Sequence, residues 1–199
     1  MSKEKPGFLR RQWLTWKNYP LRSSILTLLL AGAVGGIVFG DGFNFLMAQT
    51  NTTEFCISCH TMKGNYEEYK KTAHYSNRSG VGAGCPDCHV PHTFWRKIFR
   101  KMEAAKDVWG EITGVINTPE KFEARRMRMA TAEWERLKAS DSFTCRHCHS
   151  YEMMNEEKQG QTRYNKHKQA KAEGKTCIDC HKGVAHKLPK EYRDPDEEE

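Results

Sequence analysis

The chain has 199 residues, of which only 38% are hydrophobic, and its mean hydropathy is −0.79. This composition excludes a large core built from the chain's own apolar side chains, so we expect a bound group to supply part of the core. The formal net charge of +7 is unevenly distributed, because residues 1–22 carry six basic groups and one acidic group, whereas residues 194–199 carry five acidic groups.

An apolar stretch follows the basic start of the chain. The sixteen residues 25–40 carry no charge, and with their apolar neighbours they approach the ~20 residues that span a bilayer. We therefore predict a cytoplasmic N-terminus over 1–20 and a single transmembrane anchor over 21–47 in the cell inner membrane. Because the basic flank stays in the cytoplasm, the rest of the chain should be periplasmic. The alternative is a cleaved signal peptide, but residues 46–48 put a large residue at the upstream cleavage position.

Four copies of the sequence Cys-x-x-Cys-His follow and use all eight cysteines. This is the attachment pattern of c-type haem, in which two thiols bind one haem covalently and the adjacent imidazole reaches the iron. Zinc sites and redox dithiols also use Cys-x-x-Cys, but neither requires the trailing histidine. We predict four covalently bound haem c groups. The attachment cysteines are Cys56, Cys59, Cys85, Cys88, Cys145, Cys148, Cys177 and Cys180, and the motif histidines are His60, His89, His149 and His181.

The predicted haems would offset the positive charge of the chain. They would bring up to about eight propionate groups, which would leave the middle of the chain near neutral. The basic balance is therefore no argument for nucleic acid, and we predict no nucleic-acid partner.

Further histidines repeat with the motifs and are candidates for the second axial position. They are His74, His92, His167 and His186. Four spare imidazoles suggest bis-histidine ligation, and their repeated spacing predicts two dihaem halves. At the first motif, Met62 competes with His60 for the iron, and a methionine ligand would raise the haem potential.

Two apolar stripes with helical spacing separate the halves. The first runs from Phe94 to Ile116 and carries dense basic residues, and the second begins at Thr118, where a cap is followed by proline and an acidic residue. Packing against a core is the favoured interpretation of both stripes, and a helix on a membrane surface is the alternative for the first.

These elements predict a mostly α chain with little regular sheet. One transmembrane helix should precede a periplasmic tetrahaem cytochrome c domain made of two dihaem halves. The predicted parts are the whole domain over 48–193, the first half over 48–92, the helical spacer over 93–140, the second half over 141–193 and an acidic tail over 194–199.

Much of the chain resembles the NapC/NirT family of membrane-anchored tetrahaem cytochromes c. The resemblance covers the anchor and the segments 54–60, 85–92, 118–124 and 176–189. It implies electron transfer from membrane menaquinol or ubiquinol to a periplasmic reductase, and it favours nitrate reductase with its small cytochrome subunit. It also implies an unusual haem nearest the membrane, with Met62 as a candidate ligand. A lysine and an aspartate form part of the quinol pocket in relatives, and Lys101 and Asp107 match them best here, with Lys106 as an alternative to Lys101.

The first haem is the expected place of quinol oxidation. Only about nine residues separate Met47 from Cys56, so even an extended link spans about 30 Å. The resemblance implies that the protein is a quinol dehydrogenase subunit rather than a terminal substrate reductase. Two other functions stay open, namely a terminal multihaem reductase of the nitrite-reducing kind and an anchored electron shuttle without quinol chemistry.

Overall fold

The computed structural model describes residues 7–9, 12–13 and 20–193. The elements assigned along the described chain are helical, with no β-strand among them, which confirms the prediction of a mostly α protein. The predicted cytoplasmic segment lies largely outside the described residues, and the acidic tail lies wholly outside them. Two compact units divide after Gln49.

The first unit contains helix α1, Pro20–Gln49. Its segment Ser24–Gln49 has 26 residues and a mean hydropathy of 1.8, so it is long and apolar enough to cross a bilayer. None of its most apolar stretch is buried among the described residues. The helix continues two residues beyond the predicted end of the anchor at residue 47. Length and composition alone do not distinguish an anchor from a signal sequence, so the topology remains a prediction.

The second unit is built from short helices joined by turns. In chain order these are α2 Thr53–Ile57, α3 Met62–Tyr69, α4 Cys85–His89, α5 Phe94–Ile112, α6 Pro119–Glu123, α7 Arg126–Ala139, α8 Glu156–Gln159, α9 Gln161–Ala172 and α10 Cys177–Cys180. Two single 3₁₀ turns, Cys145–His147 and Tyr151–Met153, lie between α7 and α8.

Helix α5 ends earlier than its apolar pattern predicts. The pattern continues to Ile116, but the helix stops at Ile112 because Gly114 adopts a left-handed φ of 77°. The backbone N–H groups of Val115 and Ile116 then both donate to the carbonyl of Gly110, at 2.8 and 3.2 Å. Ile116 is consequently buried after the turn rather than on the helix.

The second predicted spacer helix is divided in two. Its start is confirmed, because Thr118 Oγ1 accepts a hydrogen bond from the backbone N–H of Lys121 at 3.3 Å. The chain leaves the helix after Glu123, and α7 begins at Arg126. The apolar pattern therefore runs across two helices of the structure.

Few apolar side chains are buried, as the composition predicts. Among the described residues the buried hydrophobic side chains are Tyr69, Ile116, Phe122 and Ile178. Polar contacts between distant segments accordingly contribute much of the internal packing.

One such contact joins three distant segments through a carboxylate. The guanidinium of Arg126 donates to both oxygens of Glu68, at 3.1 and 2.5 Å, and to the carbonyl of Lys187 at 2.8 Å. The backbone N–H of Lys187 also donates to Glu68, at 2.9 Å. Although burial opposes it, the hydrogen bond from Arg126 lowers the pKa of Glu68 below its usual value.

Replacing Arg126 by alanine should destabilise the protein by about 1–3 kcal/mol, because the carboxylate of Glu68 would remain largely buried without its partner. The two side chains are only 13% and 16% exposed. Thermal unfolding of the full-length protein, followed by far-ultraviolet circular dichroism, would measure the loss. Lys171→Ala is the matched control, since its pair with Glu152 is 54% and 70% exposed and should contribute nothing measurable. Equal unfolding temperatures for both variants would contradict the assignment.

Candidate haem and quinol sites

Each attachment motif lies on or beside a helical turn. The second and fourth motifs form α4 and α10. The third motif begins on the 3₁₀ turn at Cys145, and the first begins at Cys56, within the last turn of α2. Cysteines three positions apart on a turn point to the same side. None of the eight cysteines, all of which the structure describes, is in a disulfide. This donor set fits covalent attachment of a haem at each motif.

An aspartate caps the second and fourth motifs in the same way. The carboxylate of Asp87 accepts from the backbone N–H of Gly84 at 2.6 Å, and that of Asp179 accepts from Thr176 at 2.8 Å. A hydrogen bond from Lys138, at 2.8 Å, is the main cause that lowers the pKa of Asp179 to about 2. The aspartate at the third position of both motifs was visible in the sequence as a signal for this cap.

Two hydroxyl groups occupy equivalent places beside the motifs. Thr53 stands three residues before the first cysteine of the first motif, and its Oγ1 accepts from the backbone N–H of Cys85 at 3.2 Å. Ser142 stands three residues before the first cysteine of the third motif, and its Oγ accepts from the backbone N–H of Ile178 at 3.2 Å. The first motif thus contacts the second as the third contacts the fourth.

The first cysteines of neighbouring motifs also meet. Cys56 and Cys85 are direct neighbours in space, and so are Cys145 and Cys177. Two pairs of attachment sites are therefore adjacent.

Three motif histidines each lie opposite a spare histidine. The ring centroids are 6.2 Å apart for His74 and His149, 6.1 Å for His89 and His186, and 5.8 Å for His167 and His181. Two imidazoles bound to opposite sides of one metal, each at about 2 Å, have centroids about 6 Å apart. The separations fit axial ligand pairs.

His92, the fourth spare histidine, lies elsewhere. Its ring stacks on that of His147 with centroids 4.0 Å apart and an angle of 8° between the planes. That separation is too short for an iron between the rings. Its Nε2 lies 3.7 Å from a carboxylate oxygen of Asp87. The structure therefore does not place His92 opposite a motif histidine.

Both ring nitrogens of His60 have protein neighbours. The Nε2 atom lies 2.7 Å from the carbonyl oxygen of Asn117, and Nδ1 lies 3.1 Å from a carboxylate oxygen of Glu111. The hydroxyl of Thr61 donates to the other oxygen of Glu111 at 2.8 Å. Met62 is half-buried at the start of α3. Sequence reasoning did not identify Asn117 or Glu111 as neighbours of this site.

Glu133 is a further site residue without a sequence signal. Its carboxylate lies 2.9 Å from Nδ1 of His89 and 3.4 Å from the guanidinium of Arg100, and it also accepts from Arg136. Although burial opposes it, the hydrogen bonds from Arg136 and His89 lower the pKa of Glu133 to about 2. A carboxylate on Nδ1 orients an imidazole and makes its other nitrogen a more basic ligand.

The two candidate quinol-site residues lie on α5. The Nζ atom of Lys101 donates to both the carbonyl oxygen and Oγ1 of Thr50, each at 2.7 Å, and burial lowers the pKa of this lysine. Burial raises the pKa of the Asp107 carboxyl, although the residue keeps an exposed surface. Six helical positions separate the two residues by about 9 Å along the axis and about 120° around it. Lys106 and Arg100 are the cations that act on Asp107.

Four Cys-x-x-Cys-His motifs on or beside helical turns, with paired imidazoles beside three of them, are typical of a cytochrome of the c type, in which haem is bound covalently. Residues 19–191 match the NapC/NirT cytochrome c family, N-terminal region. The chain therefore belongs to the NapC/NirT cytochrome c family.

Individual relatives are similar over most of their length. Cytochrome c-type protein NapC of Escherichia coli K12 is 54% identical over 189 residues, which cover 94% of each chain. Denitrification system component NirT of Stutzerimonas stutzeri is 52% identical over 89% of each chain. A tetraheme cytochrome-c type protein of Allochromatium vinosum is 53% identical over 87% of this chain and 94% of its own length. No solved structure matches the chain.

Replacing Glu133 by glutamine should raise the midpoint potential of one haem by about 30–60 mV, because a neutral amide makes His89 a weaker donor to ferric iron. A spectroelectrochemical redox titration of the full-length protein would measure the shift. Glu135→Gln is the matched control, since Glu135 lies exposed on the same helix. An unchanged set of potentials in Glu133→Gln would show that this carboxylate does not tune a haem ligand.

Proposed function

We propose that the chain is a membrane-anchored quinol dehydrogenase that passes electrons from the quinol pool through four c-type haems to a periplasmic reductase. The observation that carries the proposal is the set of three imidazole pairs about 6 Å apart, which involve the second, third and fourth attachment motifs, in a chain that also has a helix of bilayer length. Bound haem supplies reversible one-electron chemistry, and the protein holds, orients and shields it.

The axial ligands are proposed from these pairs. His74 would serve with His149, His186 with His89, and His167 with His181. The first two pairs each take one ligand from the N-terminal part of the domain and one from the C-terminal part, so the four sites would form one connected set. A count of four haems is also supported by the tetraheme relative of Allochromatium vinosum.

The same contacts support a division into two dihaem halves, 48–92 and 141–193, with 93–140 between them. Within each half, the hydroxyl before one motif accepts from the backbone of the next, and the first cysteines of both motifs are neighbours. A repeated local contact of this kind is expected when one unit of structure occurs twice.

At the first site we favour Met62 over His60 as the axial ligand. The two nitrogens of His60 are occupied by Asn117 and Glu111, at 2.7 and 3.1 Å, so the imidazole would have to break a contact to bind iron. Met62 is two residues further along and half-buried. A thioether ligand would also raise the potential of this haem.

Quinol oxidation requires a group that accepts protons and a group that holds the quinol oxygen. A carboxyl whose pKa is raised by burial is a better base near neutral pH than an ordinary aspartate, which suits Asp107. The ammonium group of Lys101 has three N–H donors. Two of them donate to oxygens of Thr50, so the third can donate to a quinol oxygen. Thr50 directly follows α1 in the chain. Lys101 is therefore bonded to the first residue of the second unit.

The periplasmic acceptor is proposed from similarity. The resemblance to NapC favours nitrate reductase, and the denitrification protein NirT supports a respiratory reductase of nitrogen oxides. Export of the haem domain and a cytoplasmic basic N-terminus complete the proposal, because a soluble reductase must reach the haems from the periplasm.

Replacing His186 by alanine should convert one low-spin haem to high-spin or altered ligation, seen by electron paramagnetic resonance, while intact mass still shows four haems. The affected haem should be the one tuned by Glu133, because the His186 and His89 rings face each other at 6.1 Å. In the double variant with Glu133→Gln, the potential shift should therefore appear in the altered haem.

His167→Ala is the matched control for this pairing. Its ring faces His181, so the altered haem in that variant should show no shift when Glu133→Gln is added. If His186→Ala leaves every haem low-spin, or if the Glu133 effect follows His167→Ala instead, the pairing is wrong.

Asp107→Asn and Lys101→Leu should each slow haem reduction by quinol at least about tenfold, equivalent to about 1.4 kcal/mol in the barrier. Each variant removes either the proton acceptor or the donor to the quinol oxygen. Stopped-flow reduction by a menaquinol analogue would measure the rate, and reduction by dithionite should stay normal. Glu103→Gln, on an exposed position of the same helix, is the control. Parent rates in both test variants would place the quinol pocket elsewhere.

A further inference from the structure

Helix α5 presents its polar side to the protein. Arg100 donates from Nε to the carbonyl of His89 at 3.1 Å, and its guanidinium lies 3.4 Å from Glu133. Near the end of the helix, Glu111 accepts from Thr61 at 2.8 Å. The guanidinium of Arg96 lies over the ring of Phe143, at 4.6 Å from its centroid. The contacts that hold the helix are thus made by charged side chains.

The apolar side of the same helix is exposed. Its large side chains are exposed by 68% at Trp95, 57% at Phe99, 60% at Met102, 66% at Trp109 and 71% at Ile112. At about 100° per residue these five positions fall within an arc of about 140°. We call this surface the outer face of α5. The sequence favoured packing of this apolar stripe against a core. In the structure the stripe is exposed, and the polar side of the helix faces the protein.

We propose that the outer face of α5 lies in the headgroup region of the lipid bilayer and binds anionic lipid there. Two tryptophans among aliphatic and aromatic side chains are typical of a helix in this region, because the indole ring has both an apolar body and an N–H donor. Contiguous exposed apolar surface of this kind marks an interaction site.

The position of α5 in the chain supports a lipid partner. The Nζ atom of Lys101, near the middle of the helix, is bonded to Thr50 at 2.7 Å. Thr50 immediately follows the apolar helix α1, Pro20–Gln49. If α1 spans the bilayer, Thr50 stands where the chain leaves it, and α5 is held at that place.

Basic side chains lie beside and within the outer face. By helical position, Lys97 and Lys101 lie beyond the edge at Ile112, and Lys106 lies within the arc, between Trp95 and Phe99. Anionic headgroups would neutralise these charges while the apolar side chains enter the acyl boundary. A second copy of the chain is a poorer occupant, because a symmetric contact through this face would bring the same lysines together.

Hydrophobic photolabelling would test the proposal on the full-length holoprotein. The protein is placed in nanodiscs of phosphatidylcholine with phosphatidylglycerol that contain a phospholipid with a diazirine in its acyl chain. After irradiation, tryptic peptides are mapped by mass spectrometry. Peptide 107–121 carries Trp109 and Ile112, and peptide 129–136 is the matched control, because its Trp134 packs inside the domain on Tyr192 at 5.3 Å.

The expected result is at least about tenfold more label in 107–121 than in 129–136. Nanodiscs of phosphatidylcholine alone should give several-fold less label in that peptide. Lys97→Gln with Lys106→Gln should remove the difference between the two lipid compositions. Because Lys106→Gln removes a tryptic site, the label in this variant is measured in peptide 102–121. Label in α1 reports separately whether the protein spans the disc, so a failure of anchoring is distinguished from a failure of the proposal.

If α1 is labelled and 107–121 takes up no more label than 129–136, the outer face is covered by haem or protein and the proposal is wrong. Cross-links that join two copies through α5 would refute it in the same way. Equal labelling of the parent protein with and without phosphatidylglycerol would overturn the anionic-lipid part. None of these measurements depends on quinol oxidation.

Discussion

The separation of about 6 Å between paired imidazole rings is the constraint around which the second unit is arranged. Two of the pairs bring together residues far apart in the chain, His74 with His149 and His89 with His186. Such pairs close long loops, and the entropy cost of closure must be offset by what the ends bind. Since few apolar side chains are buried, a metal bond between the ends is a stronger offset than packing alone.

Polar contacts complete the arrangement where a hydrophobic core would ordinarily do so. Ser142 is fully buried and its φ of 49° is left-handed, a conformation that costs a serine about 1 kcal/mol or more. Its hydroxyl accepts from the backbone of Ile178, next to the fourth motif. The strained position is therefore retained where it joins two motifs. Thr53 makes the equivalent contact with the backbone N–H of Cys85, and its own backbone is not strained.

Features that are encoded by neighbouring residues were predicted from the sequence. The attachment motifs, the cap at Thr118 and the apolar length of α1 are all local patterns, and each was recognised from neighbouring residues. The end of α5 was missed because its apolar period continues past Gly114, and the left-handed turn there overrides the period. The break between α6 and α7 was missed because an apolar period can cross a turn of two residues.

Contacts across long separations were beyond sequence reasoning. His89 meets Glu133 across 44 positions, and His60 meets Asn117 across 57. A glutamate or asparagine in a charged stretch has no pattern that distinguishes a neighbour of a ligand from a surface residue. The same limit applies to His92, whose spacing matched the other spare histidines but whose ring stacks on His147.

Helix α5 contacts the first two attachment motifs. Glu111 holds His60 of the first motif, and Arg100 contacts both the backbone of His89 in the second motif and Glu133 beside it. A helix that is fixed on one side by lipid and on the other by these contacts would hold both motifs at a constant depth. Asp107 and Lys101 lie between those two contacts along the helix. Proton release by quinol would then occur on the helix that contacts both motifs, so quinol binding, deprotonation and the position of the two motifs would depend on one rigid helix.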